Sequence, residues 1–223
     1  MENISFEKNV DKSFYLTSEQ QFQRVGEILN LMPAFQVGDV TEYTYTDTYY
    51  ETPEYFLKNL DAHIRIRKTP QKQILSIVCN ELNTRREFEM EMAYGSQIND
   101  QDEYILFLED KIQDIYTHKI DVDVIRILHH LKPFLVMTTK RKAHEVLNSR
   151  EFRAEVDFDK TKIETKRNTD YIYVVEFKHK CFLSAENEQT FERFIKEFQR
   201  RIVLIPMEEK KLDAGMRIVK REW

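Results

Sequence analysis

Several segments of this chain alternate charged and apolar residues with a period of two. His63-Ile64-Arg65-Ile66-Arg67, Arg85-Arg86-Glu87-Phe88-Glu89-Met90-Glu91-Met92 and Glu155-Val156-Asp157-Phe158-Asp159 all follow it, and that period belongs to β-strands, whose successive side chains take opposite faces. An ordinary half-buried sheet gives its polar face to water. Here the charged faces recur on several strands, and acids and bases share them, which raises the question of what they surround.

At 223 residues, with 41% hydrophobic and 33% charged residues, the composition is that of a globular chain able to bury a sizeable core. With 4 Gly and 5 Pro it lacks the composition of linkers or repeats, and we read residues 1–223 as a single β-rich domain with helices. A net charge of −5 argues against a surface that attracts nucleic acid everywhere, while leaving room for a local basic groove. Cys79 and Cys181 have no metal-type spacing and read as two free thiols of a reducing compartment, with a disulfide left open. No apolar run approaches the roughly 18 residues of a membrane span, and Met1 to Lys12 holds no apolar signal core, so the expectation is a soluble, cytoplasmic protein without a membrane span.

The periodicities predict strands at Phe6 to Leu16, Thr41 to Tyr50, Ala62 to Lys68, Gln73 to Val78, Arg85 to Tyr94, Leu135 to Val146, Phe152 to Asp159 and Tyr171 to Lys180. Thr69-Pro70-Gln71 suits a hairpin turn, and Tyr55 to Leu60 reads as a short connecting turn. Helices are expected after Thr17-Ser18-Glu19, over Asp102 to His118, over Val122 to Leu131, and from about Glu188, where Phe191, Phe194, Ile195, Phe198 and Ile202 form one apolar stripe ended by Pro206. The fold class is therefore α+β with an antiparallel sheet, and about eight strands are enough to close a barrel.

Closure would send Ile64, Ile66, Phe88, Met90, Val156 and Phe158 outward under the helices and turn their charged neighbours inward. The inward set would hold the bases Arg65, Arg67, Arg85, Lys140 and Lys142 and the acids Glu87, Glu89, Glu91, Glu155, Asp157, Asp159 and Glu176. Two like charges about 5 Å apart repel by about 3 kcal/mol at an effective dielectric of about 20, so such a lining calls for a ligand and counter-ions. Arginine and lysine suit phosphate oxygens. Carboxylates at i and i+2 suit a hard divalent cation that keeps several waters. Any one of these strands alone is better explained by a solvated sheet face, and Glu87-Glu89-Glu91 alone by an acidic surface edge. His63, His118, His129, His130, His144 and His179 lack zinc-ligand spacing and read as surface or packing residues. The joint occurrence on several strands is what favours a cavity for a metal complex of a polyphosphate.

In order along the chain, Asp47-Thr48-Tyr49-Tyr50-Glu51-Thr52-Pro53 through Leu57-Lys58 to Arg65-Ile66-Arg67, then Arg85-Arg86-Glu87-Phe88-Glu89, Lys140-Arg141-Lys142, Glu155-Val156-Asp157, Val175-Glu176-Phe177-Lys178 and Glu209-Lys210-Lys211-Leu212-Asp213-Ala214-Gly215 resemble the motifs of the CYTH superfamily, or triphosphate tunnel metalloenzymes. That group includes inorganic and thiamine triphosphatases, class IV adenylyl cyclases, RNA triphosphatases and the polyphosphate polymerase domain of vacuolar transporter chaperones. The resemblance implies an eight-stranded antiparallel barrel forming a tunnel, with helices packed outside. It also implies a metal-dependent phosphohydrolase acting on inorganic triphosphate, polyphosphate or a nucleoside or organic triphosphate, with magnesium or manganese as cofactor. Polyphosphate polymerase, class IV adenylyl cyclase and a non-catalytic polyphosphate- or nucleotide-binding module are the alternatives. A nucleic-acid partner is implied only for an RNA 5′-triphosphate substrate, and a homodimer is possible in such a group.

Carried over by motif, Arg65, Arg67, Arg85, Lys140, Lys142, Lys178 and Lys210 are expected to bind phosphate, and Glu7, Asp11, Glu87, Glu89, Glu155, Asp157 and Glu176 to bind metal. Glu87, Glu176 and Lys140 are the expected catalytic groups. Three positions depart from the family pattern. Its opening Glu-x-Glu-x-Lys becomes Asn9-x-Asp11-x-Ser13, or Glu7-x-Asn9-x-Asp11 in the shifted alignment; Val78 stands at the lysine expected after Arg-x-Arg; and Lys178 stands where triphosphatases often carry a second glutamate and the polyphosphate polymerases a lysine.

Overall fold

The computed structural model describes residues 11–81, 84–116, 123–148, 152–164, 169–181, 184–208 and 211–220. In chain order the elements are β1 (Lys12–Tyr15), α1 (Glu19–Asn30), β2 (Gln36–Glu51), α2 (Phe56–Asn59), β3 (Ala62–Lys68), β4 (Gln73–Glu81), β5 (Thr84–Met92), a 3-10 turn at Ile98–Asp100, α3 (Asp102–Tyr116), α4 (Val124–Leu128), β6 (Lys132–Leu147), β7 (Arg153–Glu164), β8 (Thr169–His179), α5 (Ala185–Gln199), β9 (Ile205–Pro206) and α6 (Lys211–Lys220). The class is α+β, with antiparallel pairing and packed helices. Eight of the strands lie where alternation places them. The ninth, β9, is too short to carry a periodicity and is defined by pairing with β1. Two compact units are formed, one from the described residues of Tyr45–Met137 and one from those of Glu7–Thr44 and Thr138–Trp223. β2 and β6 contribute to both.

In the first unit the strands run β5-β4-β3-β2. The β3–β4 hairpin turns at Pro70, where the Thr69 hydroxyl accepts the N–H groups of Gln71 (3.3 Å) and Lys72 (3.1 Å), and the Thr69 N–H donates to the Lys72 carbonyl. The expected turn over Tyr55 to Leu60 is a single helical turn, α2. Its donors are satisfied by Glu51, whose carboxylate accepts from the N–H groups of Thr52, Leu57 and Lys58, and by the Thr52 hydroxyl, which accepts from Phe56. The chain enters and leaves it through Tyr55 and Asp61, both at positive φ. Ile64, Ile66, Leu75 and Ile77 bury their side chains with Leu57 and with Ile105, Leu108 and Ile112 of α3, so α3 covers the apolar face of β3 and β4.

In the second unit the order is β6-β7-β8-β1-β9. Helix α1 begins at the Ser18 cap: the Ser18 hydroxyl accepts the Gln21 N–H, and the Gln21 side chain accepts the Thr17 N–H. Val25, Ile28 and Leu29 face the core. Ser184 caps α5 in the same way, accepting from Asn187. Val156, Phe158, Val175 and Phe177 pack against Phe191, Phe194, Ile195 and Phe198 of α5, with Phe194 in ring contact with Phe35, Phe152 and Phe177. Full burial of each such side chain is worth about 1.5–3 kcal/mol. Alternation then leaves Glu155, Asp157, Asp159, Glu176 and Lys178 on the opposite face of β7 and β8.

Candidate functional site

That opposite face of the second unit holds a dense ionic network. Asp157 pairs across the ladder with Glu176, and Glu155 with Lys178, while Ser13 of β1 lies beside Glu176 on its other flank. Arg141 of β6 enters the same face. Its Nε and Nη2 donate to the two carboxylate oxygens of Asp159, both at 2.7 Å, its Nη1 pairs with Asp157, and its Nη2 reaches Glu176 at 3.4 Å. The Lys178 ammonium donates to Asp157 Oδ2 at 2.6 Å and Glu155 Oε1 at 3.0 Å. Lys211, the first residue of α6, pairs with Asp159, and Lys180 lies 3.8 Å from Glu155.

The pKa shifts follow from these neighbours. Burial pushes the Asp159 carboxyl up, but Lys211 and Arg141 outweigh it and hold the group down at about 2. Burial wins at Asp157, which is raised despite Arg141 and Lys178. Asp157 is 1% exposed, and its Oδ1 is buried with no hydrogen-bond partner among the described residues. Burial opposes the ionised form of Glu155 too, but the bond from Lys178 lowers its pKa. Lys178 is raised, because Asp157 outweighs burial. Burial and then the Glu176 carboxylate raise Asp11.

The first unit carries a smaller polar face. Tyr49, Arg65, Ser76 and Glu89 lie side by side across β2 to β5. Arg65 Nη2 donates to Glu87 at 2.8 Å and lies 4.0 Å from Glu89, and the Ser76 hydroxyl donates to Glu89 at 3.3 Å. Arg65 Nε is buried with no partner among the described residues. Arg67 forms a two-pronged pair with buried Asp47, both bonds at 2.8 Å, and stacks 4.1 Å from the centre of the Tyr45 ring. Burial opposes the charge on Arg67, and Asp47 raises its pKa further above an already high value.

The structure brings Glu155, Asp157, Glu176 and Lys178 to one face of the second unit, and Arg65, Arg67, Glu87 and Glu89 to one face of the first. Arg85 lies on β5 opposite Asn80. Lys140 and Lys142 sit elsewhere: both side chains lie near Glu42, at 3.9 and 2.7 Å, and alternation along β6 puts them on the other face from Arg141. Glu7 and Lys210 lie outside the described residues. Three residues were missed. Arg141 was hidden inside Lys140-Arg141-Lys142, where alternation cannot say which parity faces the acids. Asp47 enters only as part of a motif, although an arginine such as Arg67 on a half-buried strand calls for an acid opposite it, and Asp47 is its cross-strand partner on the adjacent strand. Lys211 follows Lys210 directly.

Among the described residues no three His, Cys, Asp or Glu side chains gather as a metal cage. Asp11, however, stands two residues before Ser13, the cross-strand neighbour of Glu176, and burial followed by the Glu176 carboxylate raises it. A pair of carboxylate donors completed by waters and phosphate oxygens is how magnesium is ordinarily held. Asp11 and Glu176 therefore fit such an ion.

The sequence matches the family model of the CYTH domain over residues 15–211. Comparison with curated proteins returns no match. Among solved structures, the chain is similar to a candidate adenylyl cyclase from Hippeastrum with a dominant triphosphatase activity, at TM-score 0.61 and 16% identity, covering 97% of this chain and 96% of that one. It is also similar to a candidate adenylate cyclase from Bacillus halodurans, at TM-score 0.52 and 18% identity, covering 93% and 97%. At these identities the likeness is one of fold.

Proposed function

The chain belongs to the CYTH family, and on that premise we propose that it cleaves a phosphoanhydride bond of inorganic triphosphate, polyphosphate or a nucleoside or organic triphosphate, with magnesium or manganese. The observation that carries this reading is the Arg141 network: a buried guanidinium and two ammonium groups are held among carboxylates on one sheet face. Among the described residues that face sets five carboxylates (Asp11, Glu155, Asp157, Asp159, Glu176) against four bases (Arg141, Lys178, Lys180, Lys211), a surplus of one negative charge. An anionic phosphate chain is favoured there only with added positive charge, which a divalent cation on Asp11 and Glu176 would supply by neutralising phosphate oxygens.

In this proposal Arg141 and Lys178 orient phosphate oxygens, with Arg141 in the place the motif assigned to Lys140. Arg65, Arg67 and Arg85 are the phosphate-binding groups of the first unit, where Glu87 and Glu89 are the acids. Glu176 accepts the proton of the attacking water as the new oxygen–phosphorus bond forms and the bridging bond breaks; the leaving phosphate carries away the bridging oxygen. Lys178 beside Glu155 and Asp157 is the observation that favours the second reading, polyphosphate synthesis or binding without turnover.

The test is phosphate release from inorganic triphosphate, ATP and long-chain polyphosphate, each with magnesium or manganese, beside an Arg65→Ala control. Release that the control loses supports hydrolysis and ranks substrates. Cyclic AMP and pyrophosphate from ATP would select the cyclase. Chain growth from ATP would select the polymerase, and thermal stabilisation by polyphosphate without any product would select the binder.

A further inference from the structure

The Lys178 ammonium occupies the point on which the acids of β7 and β8 converge. It lies 2.6 Å from Asp157 Oδ2 and 3.0 Å from Glu155 Oε1, and it interacts electrostatically with Glu176 and Asp11. These are the carboxylates a divalent cation would seek. One of them, Asp157, is 1% exposed and keeps a buried oxygen with no hydrogen-bond partner among the described residues. A buried carboxylate with an oxygen to spare is a donor prepared for a cation. The cations beside it belong to the chain: Lys178, which also bonds Glu155, and Arg141, which shares its Oδ2. An ammonium is a compact point charge with three donors and, held this close, it repels a metal ion from the same oxygens.

We propose that Lys178 is a specificity-determining residue that serves as the resident cation of Glu155 and Asp157. These two acids then hold no divalent ion by themselves, and magnesium or manganese reaches this face mainly in company with the phosphate chain. The first part stands on the ion pairs alone; the phosphate clause rests on the function proposed above. The consequence is a protein that binds divalent cations weakly without phosphate, and in which one lysine decides how many cations the face accepts.

Manganese titration followed by the electron paramagnetic resonance signal of the free ion, in the absence of any phosphate, tests this. The wild-type chain is expected to leave manganese largely free, with whatever weak binding it shows unchanged by Glu155→Gln. Lys178→Met is expected to gain a manganese site at least tenfold tighter than any in the wild type and to lose it again when Glu155→Gln is added. Lys178→Arg, which keeps the charge, is expected to behave as the wild type. Tight manganese binding by the wild type that Glu155→Gln or Asp157→Asn abolishes would overturn the proposal. So would a folded Lys178→Met chain, judged by circular dichroism, that gains no site. If Lys178→Met does not fold, the wild-type and Glu155→Gln titrations decide. No substrate is present, so failure of the phosphoanhydride reading leaves this result interpretable.

Discussion

Replacing Arg141 by methionine removes a guanidinium that bonds both oxygens of Asp159 at 2.7 Å and also pairs with Asp157. Both carboxylates are 1% exposed, so water cannot take over the lost bonds. Breaking one side of a buried ion pair costs about 3–5 kcal/mol. The Asp159 carboxyl gives an independent scale: held at about 2 against an ordinary value of about 3.9, its ionised form is favoured by roughly 2.6 kcal/mol, shared between Lys211 and Arg141. For a chain of this length each kcal/mol moves the melting temperature by roughly 2–4 °C, so Arg141→Met is expected to melt roughly 6–20 °C lower at neutral pH.

The sign of the pH dependence sharpens the test. A depressed carboxyl contributes stability that is present above its unfolded pKa and lost as pH falls through its folded one. In the wild type that loss runs from about pH 4 down to about 2. In Arg141→Met the acids lose a partner and take up protons at higher pH, so the gap between variant and wild type should narrow as pH falls from 7 towards 3. Calorimetric melting at several pH values measures both. A variant melting within about 2 °C of the wild type, or a gap that stays constant down to pH 3, would refute the reasoning.

Asp159→Asn added to Arg141→Met should recover part of the loss, and a double-mutant cycle in denaturant should give a coupling of about 1–3 kcal/mol. His144 is buried, and burial followed by Lys142 lowers its pKa despite Glu42; its contribution is present above about pH 6.5 and fades as pH falls, so His144→Gln should flatten the melting profile between about pH 7 and 5. Phe194→Ala empties the centre of the α5 aromatic cluster and should cost about 3–5 kcal/mol in chemical denaturation. Arg67→Lys keeps the charge but loses the two-pronged bond to Asp47 and the stack on Tyr45; it should weaken inorganic triphosphate binding measured by calorimetry, and an unchanged affinity would remove Arg67 from the phosphate-binding set.

Much of the architecture was legible where one local rule dominates. Ser18 announces α1 because a side-chain cap is a short-range signal, and Pro70 marks the hairpin because it fixes its own backbone. The stripe from Phe191 to Phe198 marks α5 because helical spacing brings those rings to one side. The site was legible as a set of strands and less so as a set of side chains. Alternation gives two faces without saying which is charged inside, so three consecutive bases at Lys140-Arg141-Lys142 left the parity undetermined. The apolar neighbours that settle β7, Val156 and Phe158, have no counterpart beside Arg141; what decides there is that His144 and Val146, of the other parity, are buried, with His144 against Phe158. Asp47 and Lys211 were hard to find for a different reason. Their partners lie 20 and 52 residues away, and pairing over such separations is set by strand register and helix placement.

On this account the chain recognises a phosphate chain through half-buried Arg65 and buried Arg141. Calorimetric titration with inorganic triphosphate and magnesium tests it most directly, comparing the wild type with Arg65→Ala and Arg141→Ala and checking each variant for folding by circular dichroism. The account predicts saturable binding by the wild type that weakens with added salt and falls at least tenfold in both variants. Absence of binding by the folded wild type, or equal affinity in folded Arg65→Ala and Arg141→Ala, would contradict it.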